Sequence, residues 1–127
     1  MATEGALSAI PGLSASANLA AKQFYIVKIS GVRTVDITAA ITDKILGVLQ
    51  DTPGSGVAAN VADRGKTKVI AGGTITAGDK VSTTNAGKAV TITMGTDTTQ
   101  YLLGTALTSG VDGDLIEVEL QIGPRCV

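Results

Sequence analysis

Two glutamates with a single residue between them, Glu117 and Glu119, are the first side chains that could do chemistry together. Residues two apart on a strand share a face, so the pair could act as a general acid and base. A solvated strand face gives the same pattern, and no partner base accompanies them. Asp112 and Asp114 flank Gly113 like a fragment of a calcium loop. The further oxygen ligands and the bidentate glutamate of such a loop are missing, and a plain turn accounts for the spacing. Lys80 and Lys88 adjoin turns, as the carrier lysines of lipoyl and biotinyl domains do, but neither has the apolar-Lys-apolar setting with a flanking Met or acid. That analogy is one of fold level only.

The inventory of missing groups is more decisive. There is no histidine, which removes the commonest general base and metal ligand. Cys126 is the single cysteine, so it has neither a disulfide partner nor an activating imidazole, and a zinc site lacks ligands. Gly54-Ser55-Gly56 lies in a loop without the lysine and following helix of a phosphate-binding motif. The sequence therefore predicts no enzyme, no cofactor, no metal and no small-molecule substrate.

Charge narrows the partners. Ten basic and eleven acidic residues leave a net charge of −1, and aromatics are 2% of the chain. Neither the positive field nor the stacking platform of a nucleic-acid binder is present. The uncharged stretch from Gly5 to Ala21 follows Glu4 and is interrupted by Pro11, Ser14, Ser16 and Asn18, so it reads as neither signal peptide nor membrane span. Near-neutral charge with 44% apolar residues points to apolar surface covered by a partner.

These residues must be positioned by strands. Residues 1–22, rich in Ala, Ser and Gly, read as an extended arm in which Leu7, Ile10, Leu13 and Leu19 could dock onto something larger. Residues 23–127 read as one β domain. Its strand signals run over Phe24–Ser30, Val32–Ile37, Ile45–Gln50, Val57–Val61, Thr67–Ala71, Ile75–Val81, Lys88–Met94, Tyr101–Leu107 and Leu115–Ile122, with turns at Asp63-Arg64-Gly65, Ala77-Gly78-Asp79, Asn85-Ala86-Gly87 and Val111–Asp114. Thr38–Lys44 suggests one helical turn, and Gly95–Gln100 a polar loop. In the last strand Ile116, Val118, Leu120 and Ile122 should face inward, and Glu117, Glu119 and Gln121 outward. Ile45-Leu46-Gly47-Val48-Leu49 is echoed by Leu102-Leu103-Gly104-Thr105-Ala106-Leu107, which predicts two equivalent strands of a pseudo-repeated sheet, with Gly47 at a tight contact. The fold class expected is all-β: a compact β-sandwich or barrel of about eight to ten short strands with an extended N-terminal arm.

An ordered set of segments carries a resemblance. Asn18–Lys28 (NLAAKQFYIVK), Thr42–Gln50 (TDKILGVLQ), Ala71–Val81 (AGGTITAGDKV), Gly87–Val90 (GKAV), Leu103–Leu107 (LGTAL) and Gly113–Val118 (GDLIEV) together resemble the capsid decoration (cement) proteins of tailed phages. The match runs from about residue 18 to 122; each piece alone is a generic β signature. The resemblance implies a β-tulip-like domain, a homotrimer, and the major capsid protein as partner. It also implies a place on the virion, outside the expanded shell, after synthesis in the host bacterial cytoplasm. In that picture the arm, with Leu7, Ile10, Leu13 and Leu19, reaches over neighbouring capsid subunits, and the bound trimer resists internal DNA pressure. The alternative is a self-assembling surface or fibre module, such as a phage head-fibre base or an adhesin.

Overall fold

Ten strands, Leu7–Ile10 (β1), Ser14–Ala15 (β2), Ile26–Gly31 (β3), Thr34–Ile37 (β4), Gly47–Leu49 (β5), Val61–Ile70 (β6), Lys80–Thr83 (β7), Ala89–Thr91 (β8), Gly104–Ala106 (β9) and Leu115–Leu120 (β10), form one hydrogen-bonded sheet in a computed structural model. The structure describes residues 7–10, 12–93 and 100–122. No helix occurs among them, so the all-β expectation holds. The Thr38–Lys44 segment is a turn closed by Asp43 N–H donating to the Ala40 carbonyl at 3.1 Å. The loop expected at Gly95–Gln100 lies, save for its last residue, outside the described residues.

The strand order is β2-β4-β3-β5-β6-β10-β9-β7-β8, with β1 also paired to β6. It divides into two halves of identical build, β3–β6 and β7–β10. In the first hairpin Val27 pairs with Ile37, Lys28 with Asp36 and Ile29 with Val35; in the second, Val81 pairs with Thr91, Ser82 with Val90 and Thr83 with Ala89. The next pairing sets Ile26 on Val48 and Val27 on Gly47, matched by Lys80 on Thr105 and Val81 on Gly104. The last sets Val48 on Ala62 and Leu49 on Val61, matched by Thr105 on Glu119 and Ala106 on Val118. Register is thus conserved residue for residue through three strand pairs. The lead-in segments match as well: Ala15 runs parallel to Val35 in β4, and Ala71 forms a parallel bridge to Ala89 in β8.

The echo read from the sequence is the centre of this duplication. Gly47 and Gly104 open equivalent strands, and a side chain on either would collide with a backbone carbonyl, of Ala62 and Glu119 respectively. Backbone shape is duplicated where sequence is not. Among the described residues, Phe24 (φ 67°) and Arg33 (φ 55°) are the two non-glycine residues in the left-handed region, and they match Gly78 (φ 96°) and Gly87 (φ 74°). A β-carbon is disfavoured there by about 1–2 kcal/mol, so the first half holds the same turn geometry at a cost the glycines of the second half avoid.

Each half encloses its own core. Leu13, Ala15, Leu19, Val27, Val35, Leu49, Ala59 and Val61 form one cluster. Their counterparts Val69, Ala71, Ile75, Val81, Ala89, Ala106, Ile116 and Val118 belong to the other. The second cluster also holds Ile26, Ile45, Val48, Ala62 and Leu120, the apolar seam that joins the halves.

One expected turn is a strand instead. Val57–Val61 and Thr67–Ala71 read as separate strands around Asp63-Arg64-Gly65, but β6 starts only at Val61 and runs unbroken through the expected turn to Ile70, while residues 57–60 contribute a single bridge, from Ala58 to Ser14. The pairing with β1 skips Asp63, as in a β-bulge, and Gly65 (φ 93°) lies beside it, so the turn residues bend the strand without ending it. β6 can then serve both halves: its start pairs with β5 and β1, its remainder antiparallel with β10 from Ile70↔Leu115 to Gly65↔Leu120.

Candidate interaction surface

The residues that could have done chemistry are separated or engaged. Glu117 was expected to face outward with Glu119. It is instead buried at 8% exposure, its carboxylate 3.1 Å from Lys66 Nζ, while Glu119 is exposed. The pairing that sets Lys68 opposite Glu117 brings Lys66 to its diagonal, and the ion pair with Lys66 accompanies the burial of Glu117 on the face it shares with exposed Glu119. Asp114 Oδ2 accepts the Val111 N–H at 3.0 Å and Gly113 (φ 92°) completes a tight turn, as the turn reading expects. Lys80 Nζ donates to Thr105 Oγ1 at 2.7 Å and to Gln121 Oε1 at 3.3 Å. Lys88 Nζ lies 3.9 Å from Asp112. No group of three His, Cys, Asp or Glu residues that could hold a metal occurs among the described residues, and no helix there is long and apolar enough to cross a membrane.

The proposed arm contacts divide in two. Leu7 and Ile10 lie on β1, paired with Gly65 and Val61; their side chains lie outside what the structure describes. Leu13 (8% exposed) and Leu19 (2%) belong to the first half's core, at the positions that Val69 and Ile75 fill in the second. Either could reach another protein only by leaving that core.

What remains for recognition is the surface where the duplicated halves differ. In the first half Ile26, Val48 and Ala62 are fully buried by the second half. At the matching places the second half carries Lys80, Thr105 and Glu119, half-buried or exposed. The face that is inward and apolar in the first half is outward and polar in the second. The first half's hairpin tip differs in the opposite sense: Ile29 is 50% exposed and Val32 93%. Beside the tip opens a cleft of about 500 Å³ lined by Lys28, Ile29 and the segment Thr42–Leu46.

The cleft wall is fixed by Asp43. Its Oδ2 accepts N–H bonds from Ala39 (2.8 Å) and Ala40 (3.0 Å) and meets Lys28 Nζ at 3.2 Å. Burial pushes this carboxyl up, but the Ala39 amide, Lys28 and the Ala40 amide together outweigh it, so it stays below its ordinary value. The carboxylate therefore pins the loop, and Lys44 at the cleft's edge is exposed. Periodicity could not reveal this surface, because only the seam decides which of two like faces is covered.

No family model matches the chain, and no curated protein does. Among solved structures it is similar to the N base of the head fiber gp8.5 of bacteriophage phi29, with a TM-score of 0.65 and 20% identity, over 86% of this chain and 90% of that one. At that identity the likeness is one of fold.

Proposed function

We propose that this chain is a structural protein of a phage head, bound to the outside of the capsid and carrying no catalytic activity. The observation that supports the reading is a fold shared over nearly its whole length with a phage head fiber base. The polar outward face and the exposed tip offer contact surface, and Glu117, Asp114 and Lys80 are tied into structural bonds.

In its finer form the reading is a decoration protein. A homotrimer sits on the expanded shell and bridges subunits of the major capsid protein where DNA pressure strains the joints. Modest contacts suffice, because one engaged subunit raises the effective concentration for the next. A second reading, favoured by the same structural likeness, is a base on which a fibre is mounted.

The test is to mix purified protein with expanded and unexpanded shells of the phage whose genome encodes it. Binding confined to expanded shells, with a raised temperature of shell disruption, is expected for a decoration protein. Binding without any gain in shell stability favours the fibre base. Equal binding to both shell forms, or none to either, overturns the decoration reading.

A further inference from the structure

The seam inside the chain joins two unlike faces. The second half brings its hairpin tip, where the Gly87 carbonyl accepts the Ile26 N–H at 2.7 Å. A β-carbon on Gly87 would lie 3.1 Å from Ile37 Cβ and 3.2 Å from Tyr25 Cδ2. Next to it the Thr83 hydroxyl is hydrogen-bonded to that of Thr38. The first half supplies the receiving face, Tyr25, Ile26 and Ile37. Since both halves are built alike, each has a tip and a receiving face, and among the described residues one of each is left over.

The remaining tip belongs to the first half. Ile29 stands where Thr83 does and Arg33 where Gly87 does, both exposed, above the cleft edged by Lys44. The remaining receiving face belongs to the second half, where Asp79, Lys80 and Thr91 stand for Tyr25, Ile26 and Ile37. We propose that a second copy of this chain joins them: copies associate head to tail, the β3–β4 tip of one on the β7–β9 face of the next. The contact repeats between chains the arrangement already made within one.

Charge supports the pairing. The tip side carries Arg33 and Lys44; the receiving side carries Asp79 and Glu119 around Lys80, whose ammonium is already engaged by Thr105 and Gln121. Transferring the seam's contacts sets Arg33 beside Asp79 and Thr91 of the neighbouring copy. The Arg33 carbonyl already accepts the Ser14 N–H at 3.0 Å, so the contact between chains is made by side chains. Polar residues at the receiving face suit a surface that is wet before assembly, where a second Ile26 or Val48 would invite indiscriminate association. Unlike faces give a ring if the rotation closes and a filament if it does not. This deepens the trimer part of the reading above, which such a ring would satisfy, and does not depend on capsid binding.

The experiment uses full-length protein in a Cys126→Ser background without capsids. Arg33→Cys and Thr91→Cys are made separately, because at their seam counterparts a β-carbon added to Gly87 would lie 3.1 Å from Ile37 Cβ, a little inside the span of a disulfide. On oxidation the mixture of the two is expected to give a disulfide-linked heterodimer, and each variant alone is expected to remain largely uncrosslinked. The unsubstituted protein should sediment as an oligomer that Ile29→Asp shifts toward monomer. A mixture that does not crosslink while both variants keep the native circular dichroism overturns the proposal. So does equal crosslinking in the single variants, or an unsubstituted chain that is monomeric at its highest soluble concentration. Failure here leaves the capsid reading standing, and failure to bind capsids leaves this contact standing.

Discussion

Replacing Gly47 with alanine tests the duplicated sheet at its tightest point. An added β-carbon would meet the Ala62 carbonyl at well under contact distance, with Val61 Cγ1 at 2.8 Å and the Ala62 carbonyl carbon at 3.0 Å. The obstacle is backbone in the long strand β6, which is tied on its other edge and cannot swing aside like a surface side chain. Over-packing of this kind costs about 1–3 kcal/mol. Against it stands a gain of about 0.4–1 kcal/mol, because alanine restricts the unfolded chain. The net expectation is a loss of about 1–2 kcal/mol. With a urea slope of about 1–3 kcal/mol/M, the midpoint falls by roughly 0.3–2 M. Gly104→Ala, against the Glu119 carbonyl, should cost a similar amount, and the two losses should add, since their immediate partners differ. Gly73→Ala is the control: nothing lies within 4 Å of its β-position, and the midpoint should hold or rise slightly. The assay is equilibrium urea unfolding followed by far-ultraviolet circular dichroism. A Gly47→Ala midpoint equal to that of Gly73→Ala would refute the argument that this strand pair is set by backbone contact.

Leu19→Ala should destabilise by about 2–5 kcal/mol, because Leu19 is 2% exposed in the first core; thermal unfolding with little change in melting temperature would mean that residues 12–22 are not an integral part of the fold. Asp43 titrates below its ordinary range in the folded chain, so its contribution is fully present above the unfolded value near pH ~3.9 and is lost as pH falls through the lower folded value. Asp43→Asn should therefore cost about 1 kcal/mol at neutral pH, the loss of charge assistance in its bonds to the Ala39 and Ala40 amides and Lys28, with the gap to the parent closing in strong acid; a gap independent of pH in urea titrations would contradict the hydrogen-bond pattern.

Much of the sheet was legible because strand signals are local. The strands read at Phe24–Ser30, Ile45–Gln50 and Leu115–Ile122 correspond to β3, β5 and β10, and the glycine echo correctly located two equivalent strands. The full duplication was not legible, because side chains diverged wherever the two halves meet different surroundings. Ile26 against Lys80 and Val48 against Thr105 share register but no chemistry. β6 was misread because a bulge and a turn use the same residue types. The segment before residue 22 gave no periodicity, yet Leu13, Ala15 and Leu19 repeat the places of Val69, Ala71 and Ile75. Its core role becomes visible only once the second copy is laid over the first.

That comparison also explains the direction of the divergence. Positions enclosed within each half stayed apolar in both: Val27 and Val81, Val61 and Val118, Leu19 and Ile75. Positions on the face that only one half covers split by burial, apolar in the first half and polar in the second. Leaving a second Ile26-Val48-Ala62 patch uncovered would have exposed a ready site for further repeats, and repeat arrays end in polar caps for that reason. Here the cap is not a uniformly charged surface. Lys80 is held by Thr105 and Gln121 at its centre, and Asp79 Oδ2 is held by the Thr76 N–H and the Thr91 hydroxyl at its rim. Fixed polar groups cost less entropy on binding than free ones, so the same bonds that solubilise the face also prepare it for a partner of matching polarity.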